Sequence, residues 1–168
     1  AVREAHSVPP GHGPGGKQRA VSESSVRMLS WGARVLYVGP PLKLSAHRNV
    51  VGVLCVCLDG TMEVQVGEGL SDGRGVVCRS AYIRPGTRHL MLFQADRIAC
   101  LYVDRESDDP ARIESEMTFS HDGLLVEHRR RDEIVRTLTD FVESRIEHGR
   151  NREVVAAAYG LAQSGEGR

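Results

Sequence analysis

Between residues 33 and 104, short apolar runs are separated by clusters of Gly, Pro, Asp and Arg. "ARVLYVG" stops at "PP", which ends regular pairing because proline has no N–H to donate. "VVGVLCVCL" leads through Asp59-Gly60 into "TMEVQVG", and an Asp-Gly step between two apolar runs predicts a type I′ hairpin. "VVCRSAYI", "RHLMLF" and "RIACLYVD" follow, set apart by the loop "EGLSDGRG" and the turns "RPGT" and "QAD". Six or seven short strands with turns every eight to twelve residues predict an antiparallel barrel or sandwich. Val53, Cys55, Val64, Ile83, Leu92 and Leu101 fall in the most apolar runs and are the expected core.

After Asp104 the period changes. "RESDDPARIESEM" is charged and loop-like, with room for a short helix after Pro110. In "RRDEIVRTLTDFVESRIEHG", Ile134, Val135, Leu138, Phe141, Val142 and Ile146 share one stripe of a 3.6-residue period, and Gly149 stops the helix. Asn151 is the expected N-cap of a second helix, "REVVAAAYGLAQ". The first helix carries more apolar surface than one contact needs. Ile134, Leu138, Phe141 and Val142 are therefore the expected homodimer interface, the alternative being that the second helix covers them. Residues 1–25 are rich in Gly, Pro, Ser and charge, and read as a disordered arm. The expected divisions are thus an arm over 1–25, a β domain over 26–108 and a helical segment over 109–168.

Charge excludes some partners. The 22 basic and 22 acidic residues balance, which leaves no field for gripping nucleic acid or an anionic membrane. Arg129, Arg130 and Arg131 precede a helix whose N-terminus disfavours cations, so they read as a solvated face or partner contact rather than a DNA patch. Lys17 and Lys43 are the two lysines; so strong a bias toward Arg suggests GC-rich bacterial coding. The four cysteines sit inside apolar runs without CxxC spacing, as expected of small core residues in a reducing cytoplasm. Neither a signal peptide nor a run of membrane-spanning length is evident, so a cytoplasmic protein is expected.

One stretch carries candidate chemistry. In "LKLSAHRNVVGVLCVCLDG", strand alternation puts His47 and Asn49 on the face of Val51, Val53, Cys55 and Cys57. A His and an Asn at the mouth of an apolar pocket suit a ligand or metal site. Arg84 and Arg88 flank the "RPGT" turn and could clamp an anion. Tyr82 and Tyr102 are expected on strands with their hydroxyls near the pocket rim.

In their order and spacing, "LYVGPPLKLSAHRNVVGVLCVCLDGTMEVQVG", "AYIRPGTRHLM" and "ACLYVD" resemble the N-terminal cupin domain of AraC-type transcription regulators, over about residues 31–146. The resemblance implies a mainly β, cupin-like antiparallel barrel (jelly roll) followed by C-terminal helices. It further implies an effector pocket, dimerisation through the helices, and DNA binding by a helix-turn-helix domain that this chain does not include. Cupin metal sites use two His spaced one apart, a Glu on the same strand and a His after a Pro-Gly turn. His47 matches the first and His89 the last; Asn49 stands at the second His, and Val53 or Leu54 at the Glu. The resemblance therefore implies a small-molecule effector bound near His47, Asn49, Tyr82, Arg84 and His89, with no cofactor and no metal, unless one is held by His47 and His89. A small cupin isomerase or dioxygenase with a reduced metal site is the alternative.

Overall fold

The computed structural model describes residues 26–70, 74–121, 124–143 and 150–163. The expected arm, Ile146 and Gly149 lie outside them. The strands are β1 (Arg27–Trp31), β2 (Arg34–Gly39), β3 (Gly52–Cys57), β4 (Thr61–Val66), β5 (Val76–Cys78), β6 (Ser80–Ile83), β7 (His89–Gln94), β8 (Ile98–Val103), β9 (Met117–His121) and β10 (Leu124–His128). The helices are α1 (Asp109–Glu116), α2 (Arg131–Val142) and α3 (Asn151–Ala158).

All pairings are antiparallel and form two sheets, ordered β1-β2-β8-β3-β6-β10-β9 and β5-β4-β7. His47, just before β3, adds an isolated bridge to His89 on β7. The chain thus passes from β2 in the large sheet to His47 beside the small one, and back to β3. It then makes β4 and β5 in the small sheet, β6 in the large, β7 in the small and β8 in the large. That is jelly-roll winding. The fold is mainly β and cupin-like, two facing sheets rather than a closed barrel, followed by helices.

Alternation along the strands divides the interior in two. On β3, Leu54 and Val56 point away from the small sheet into a core shared with Leu36, Leu101, Ile113, Ile134 and Leu138. Val53, Cys55 and Cys57 point toward the small sheet and meet Met62, Val64, Ile83 and Ile98. Five of the six expected core residues are buried, but Leu92 is 47% exposed. It alternates with His89, Met91 and Phe93 on β7, so it lies on the small sheet's outer face.

Two turns depart from the sequence reading. Asp59-Gly60 does reverse the chain, but β3 and β4 join different sheets, so the connection is a corner and not a hairpin. Gly60 has φ +61° while Asp59 lacks the positive φ that a type I′ turn requires. The Asp59 carboxylate instead accepts the Asp96 and Arg97 N–H groups at 2.7 and 3.2 Å, fastening the corner to the β7–β8 turn. A side chain at Gly60 would meet the Gln94 carbonyl oxygen at 2.0 Å. The run "VVCRSAYI" is likewise two strands, broken at Arg79, where the chain crosses from the small sheet to the large.

The segment over 109–168, expected to be helical, also contains strands. It opens with α1, but β9 and β10 follow and extend the large sheet. Arg34 on β2 grips Asp109 through Nε–Oδ2 at 2.6 Å and an Nη–Oδ1 bond at 2.8 Å, and donates to the Ala162 carbonyl at 3.0 Å. With side chains 11% and 7% exposed, this pair, together with the Arg34 bond to Ala162, staples the start of α1 and the segment after α3 onto the sheet.

The α2 stripe faces inward. Ile134 and Leu138 are fully buried, and Phe141 and Val142 are 9% and 8% exposed, packed with Val155, Ala156, Ala158 and Tyr159 of the α3 segment. These four residues therefore leave no open patch for a second copy; the apolar surface expected to form a dimer is covered within the chain. Asn151 begins α3 rather than capping it. The cap position is Arg150, without a side-chain cap bond, and the Asn151 Oδ1 is buried without a hydrogen-bond partner among the described residues. Gly160, at φ +70°, ends α3 with bonds from Gly160 N–H to Ala157 O and from Leu161 N–H to Ala156 O, a Schellman motif.

Candidate functional site

Pro40 and Pro41 end β2, and the chain runs without strand pairing until His47. There the backbones of His47 and His89 exchange N–H···O bonds of 3.0 and 2.9 Å. Directly paired residues on neighbouring strands put their side chains on one face. The two imidazoles consequently stand with ring centroids 4.5 Å apart, tilted by 57°.

Each ring is held by its own backbone. Nδ1–H of His47 donates to the Ser45 carbonyl at 2.7 Å, and Nδ1–H of His89 donates to the Thr87 carbonyl at 2.8 Å. A carbonyl cannot donate, so both Nδ1 atoms carry hydrogen, and Nε2 is the nitrogen that each ring turns away from its own backbone. This is how a protein aims an imidazole at a guest. His89 is 2% exposed, and burial holds its pKa below the ordinary value, with the adjacent His47 adding to the effect.

The pair closes one end of a cavity whose apolar walls come from Leu42, Val53, Met91, Phe93 and Ile98, with Asn49, Tyr102, Cys55 and Cys100 also lining it. Burial raises the Tyr102 phenol, keeping it protonated. The cavity volume is about 30 Å³, space for roughly two water molecules. Around the mouth, Arg48 donates to the Gly86 carbonyl at 2.8 Å and pairs with Glu68, and Gly86 N–H donates to the Asn49 carbonyl at 2.7 Å. These bonds hold residues 47–49 against the "RPGT" turn.

The structure brings together three of the five expected ligand residues: His47, Asn49 and His89. Tyr82 lies on the opposite face of the large sheet, in the core under the helices, with its hydroxyl unpaired among the described residues. Arg84 grips Glu114 of α1 with two bonds of 2.8 and 3.1 Å, and Arg88 donates to the Glu68 carbonyl at 3.0 Å. Neither arginine lines the cavity. Sequence reasoning missed the mouth role of Arg48 and the facing of Cys55 on Cys100, since both depend on partners far along the chain. Tyr102, expected on a strand with its hydroxyl near the pocket rim, lines the cavity.

A resident transition metal does not fit these residues. Among the described residues no three His, Cys, Asp or Glu side chains converge, whereas catalytic zinc sites use three protein ligands. Two imidazoles and a carboxamide fall short of that.

No protein-family model and no curated protein matches the chain. Among solved structures it is similar to a conserved protein of unknown function from Streptococcus pyogenes, with 13% identity, TM-score 0.40, and 52% of this chain and 79% of that one covered. It is similar to an RmlC-like cupin from Shewanella frigidimarina, with 13% identity, TM-score 0.38, and coverage of 56% and 96%. It is also similar to an RmlC-like cupin family protein with a double-stranded β-helix fold from Methanocaldococcus jannaschii, with 14% identity, TM-score 0.37, and coverage of 52% and 84%.

Proposed function

We propose that this chain is a small-molecule-sensing domain of the AraC-like regulator kind, with the effector seated between the sheets against His47 and His89. The observation that carries the reading is the imidazole pair itself: two rings fixed through Nδ1, with both Nε2 atoms turned away from their own backbone beside an apolar cavity. Neutral Nε2 atoms accept hydrogen bonds. The effector is therefore a small apolar body carrying a hydroxyl or N–H donor. In this reading DNA is bound by another part of the regulator.

Ordinary ligand sites enclose roughly 300–1,000 Å³, far more than this cavity holds. Seating an effector requires the segment from Pro40 to Ala46 to move. That segment has no strand pairing, and it also lines an open groove of about 720 Å³ along Met91, Leu92 and Phe93. Its displacement by an effector is the signal a regulator would transmit.

Phenol, a hydroxyl on an apolar ring, is the probe. As phenol is titrated, the imidazole ¹⁵N resonances of His47 and His89 are expected to shift saturably, while benzene leaves Nε2 unmoved and His89→Phe abolishes the response. The absence of saturable shifts with phenol and with short-chain alcohols overturns the reading. So does stoichiometric iron, manganese or zinc in the purified protein that is lost in His47→Ala, which would favour a small cupin enzyme.

A further inference from the structure

Strands β3 and β8 are neighbours in the large sheet, and their register sets Cys55 directly opposite Cys100. The two Sγ atoms are 3.0 Å apart. Directly opposed residues on antiparallel strands have Cα atoms about 4.5–5.5 Å apart, within the roughly 4.4–6.8 Å span that a disulfide bridges without backbone movement. The other thiols are placed differently: Cys57 opposes Ile98, and Cys78 opposes Met62. Both residues of the facing pair line the cavity between the sheets. Burial alone marks an inert core cysteine. Two facing thiols on a cavity wall are a reactive arrangement.

We infer that Cys55 and Cys100 form a reversible cross-strand disulfide in response to hydrogen peroxide. The cavity selects the oxidant, because about 30 Å³ admits a molecule little larger than water and excludes glutathione disulfide. In the first step one sulfur attacks a peroxide oxygen and the O–O bond breaks. The thiol becomes a sulfenic acid, and its proton leaves with the departing hydroxide as water. In the second step the facing sulfur attacks the sulfenic sulfur, the S–O bond breaks, and the hydroxide leaves with that thiol's proton as a second water. Two thiols are oxidised by two electrons and one peroxide is reduced to two waters. The sulfurs need to approach by about 1 Å to reach a bond of about 2.05 Å.

The contact with Cys100 and burial push the Cys55 thiol well above its ordinary pKa, so thiolate is scarce at neutral pH and oxidation is slow. Cys57 and Cys78, each pushed up to about 12 chiefly by burial, have no facing thiol to resolve a sulfenic acid. The inference stands apart from the effector reading. A chain that ignores phenol can still form the bridge, and one that binds phenol can fail to form it.

The test uses the reduced wild-type protein, held overnight with millimolar hydrogen peroxide at about pH 8 to raise the thiolate fraction. Free thiols counted after denaturation are expected to fall from four to two. Intact mass should drop by two hydrogens, and dithiothreitol should restore it. Peptide mapping should join the segments carrying Cys55 and Cys100, and the join should persist in Cys57→Ser, which removes the other thiol on the first segment. Four free thiols after treatment, higher oxides without a bridge, or a bridge through Cys57 or Cys78 overturns the inference. The mapping of the wild type decides this without any variant at Cys55 or Cys100.

Discussion

His128 ends β10 at its junction with α2 and is 3% exposed. Its Nδ1 accepts the Arg130 N–H at 3.1 Å, so the ring hydrogen sits on Nε2, which is buried without a hydrogen-bond partner among the described residues. Protonating Nδ1 would break the first bond and put a cation out of water. Burial lowers the ring's pKa to about 4, Glu116 partly opposes it, and the Arg130 charge adds a smaller lowering effect. The folded chain thus keeps the ring neutral over a range where the unfolded chain, with an ordinary value near 6.5, takes up a proton. The unfolded state binds more protons between pH 6.5 and about 4. The ring's contribution is therefore complete above pH 6.5 and is lost as pH falls through that window. A gap of about 2.5 pH units at 1.36 kcal/mol each sets an upper figure of roughly 3 kcal/mol. Urea unfolding followed by circular dichroism, repeated at intervals between pH 7 and pH 4, measures it. His128→Asn is the comparison, because its Oδ1 can replace Nδ1 as acceptor while nothing titrates. The wild type is expected to lose about 2–3 kcal/mol more than the variant across the window. Equal losses in the two proteins would falsify the assignment, as would an NMR midpoint for the His128 ring near 6.5.

Two further perturbations test the face of the large sheet under the helices. A Cβ on Gly52 would lie 2.3 Å from the Tyr82 hydroxyl oxygen and 3.0 Å from the ring carbon bearing it, so Gly52→Ala should destabilise by about 1–3 kcal/mol. Tyr82→Phe removes a buried hydroxyl unpaired among the described residues and should be neutral or stabilising; a Gly52→Ala penalty of equal size in both backgrounds would refute the collision. Leu138 is fully buried, so Leu138→Glu should abolish cooperative unfolding rather than split a folded dimer, by forcing a carboxylate into the core. A folded Leu138→Glu protein with unchanged melting, by circular dichroism and light scattering, would return α2 to consideration as an interface.

The sequence made faces legible and partners much less so. Period-two alternation correctly separated Val53 and Cys55 from Leu54 and Val56, because side-chain direction along a strand is a local property. Asp59-Gly60 marked a true reversal, yet a turn signal says where the chain bends and not which sheet receives each arm. The break at Arg79 was hidden for the same reason, since the strands on either side of it are both β-forming and switch sheets through one residue. Strand β9 escaped notice because four of its five residues are exposed, leaving no alternation to read. The α2 stripe was visible, but the α3 segment is what covers it, and its small Ala156 and Ala158 carry little apolar signal. In the site, His47 and His89 stood out by motif. The Cys55–Cys100 contact spans 45 positions and follows from register alone.

The division of the large sheet also says where function can change without loss of the fold. Its helix-side face carries Leu36, Leu54 and Leu101 against α1, α2 and the α3 segment, and the Arg34–Asp109 staple clamps that layer. Its other face meets a small sheet of three strands, where the cavity leaves packing incomplete. Incomplete packing lowers local stability, and regions of low local stability are those able to open for a guest. The residues between β2 and β3 add to this, since they lie over the cavity and pair through the single bridge at His47. A guest entering there displaces few bonds, whereas opening the helix side would expose the larger core. The pocket is therefore on the face where this chain can move at least expense to its fold, and both the imidazole pair and the facing thiols look into it.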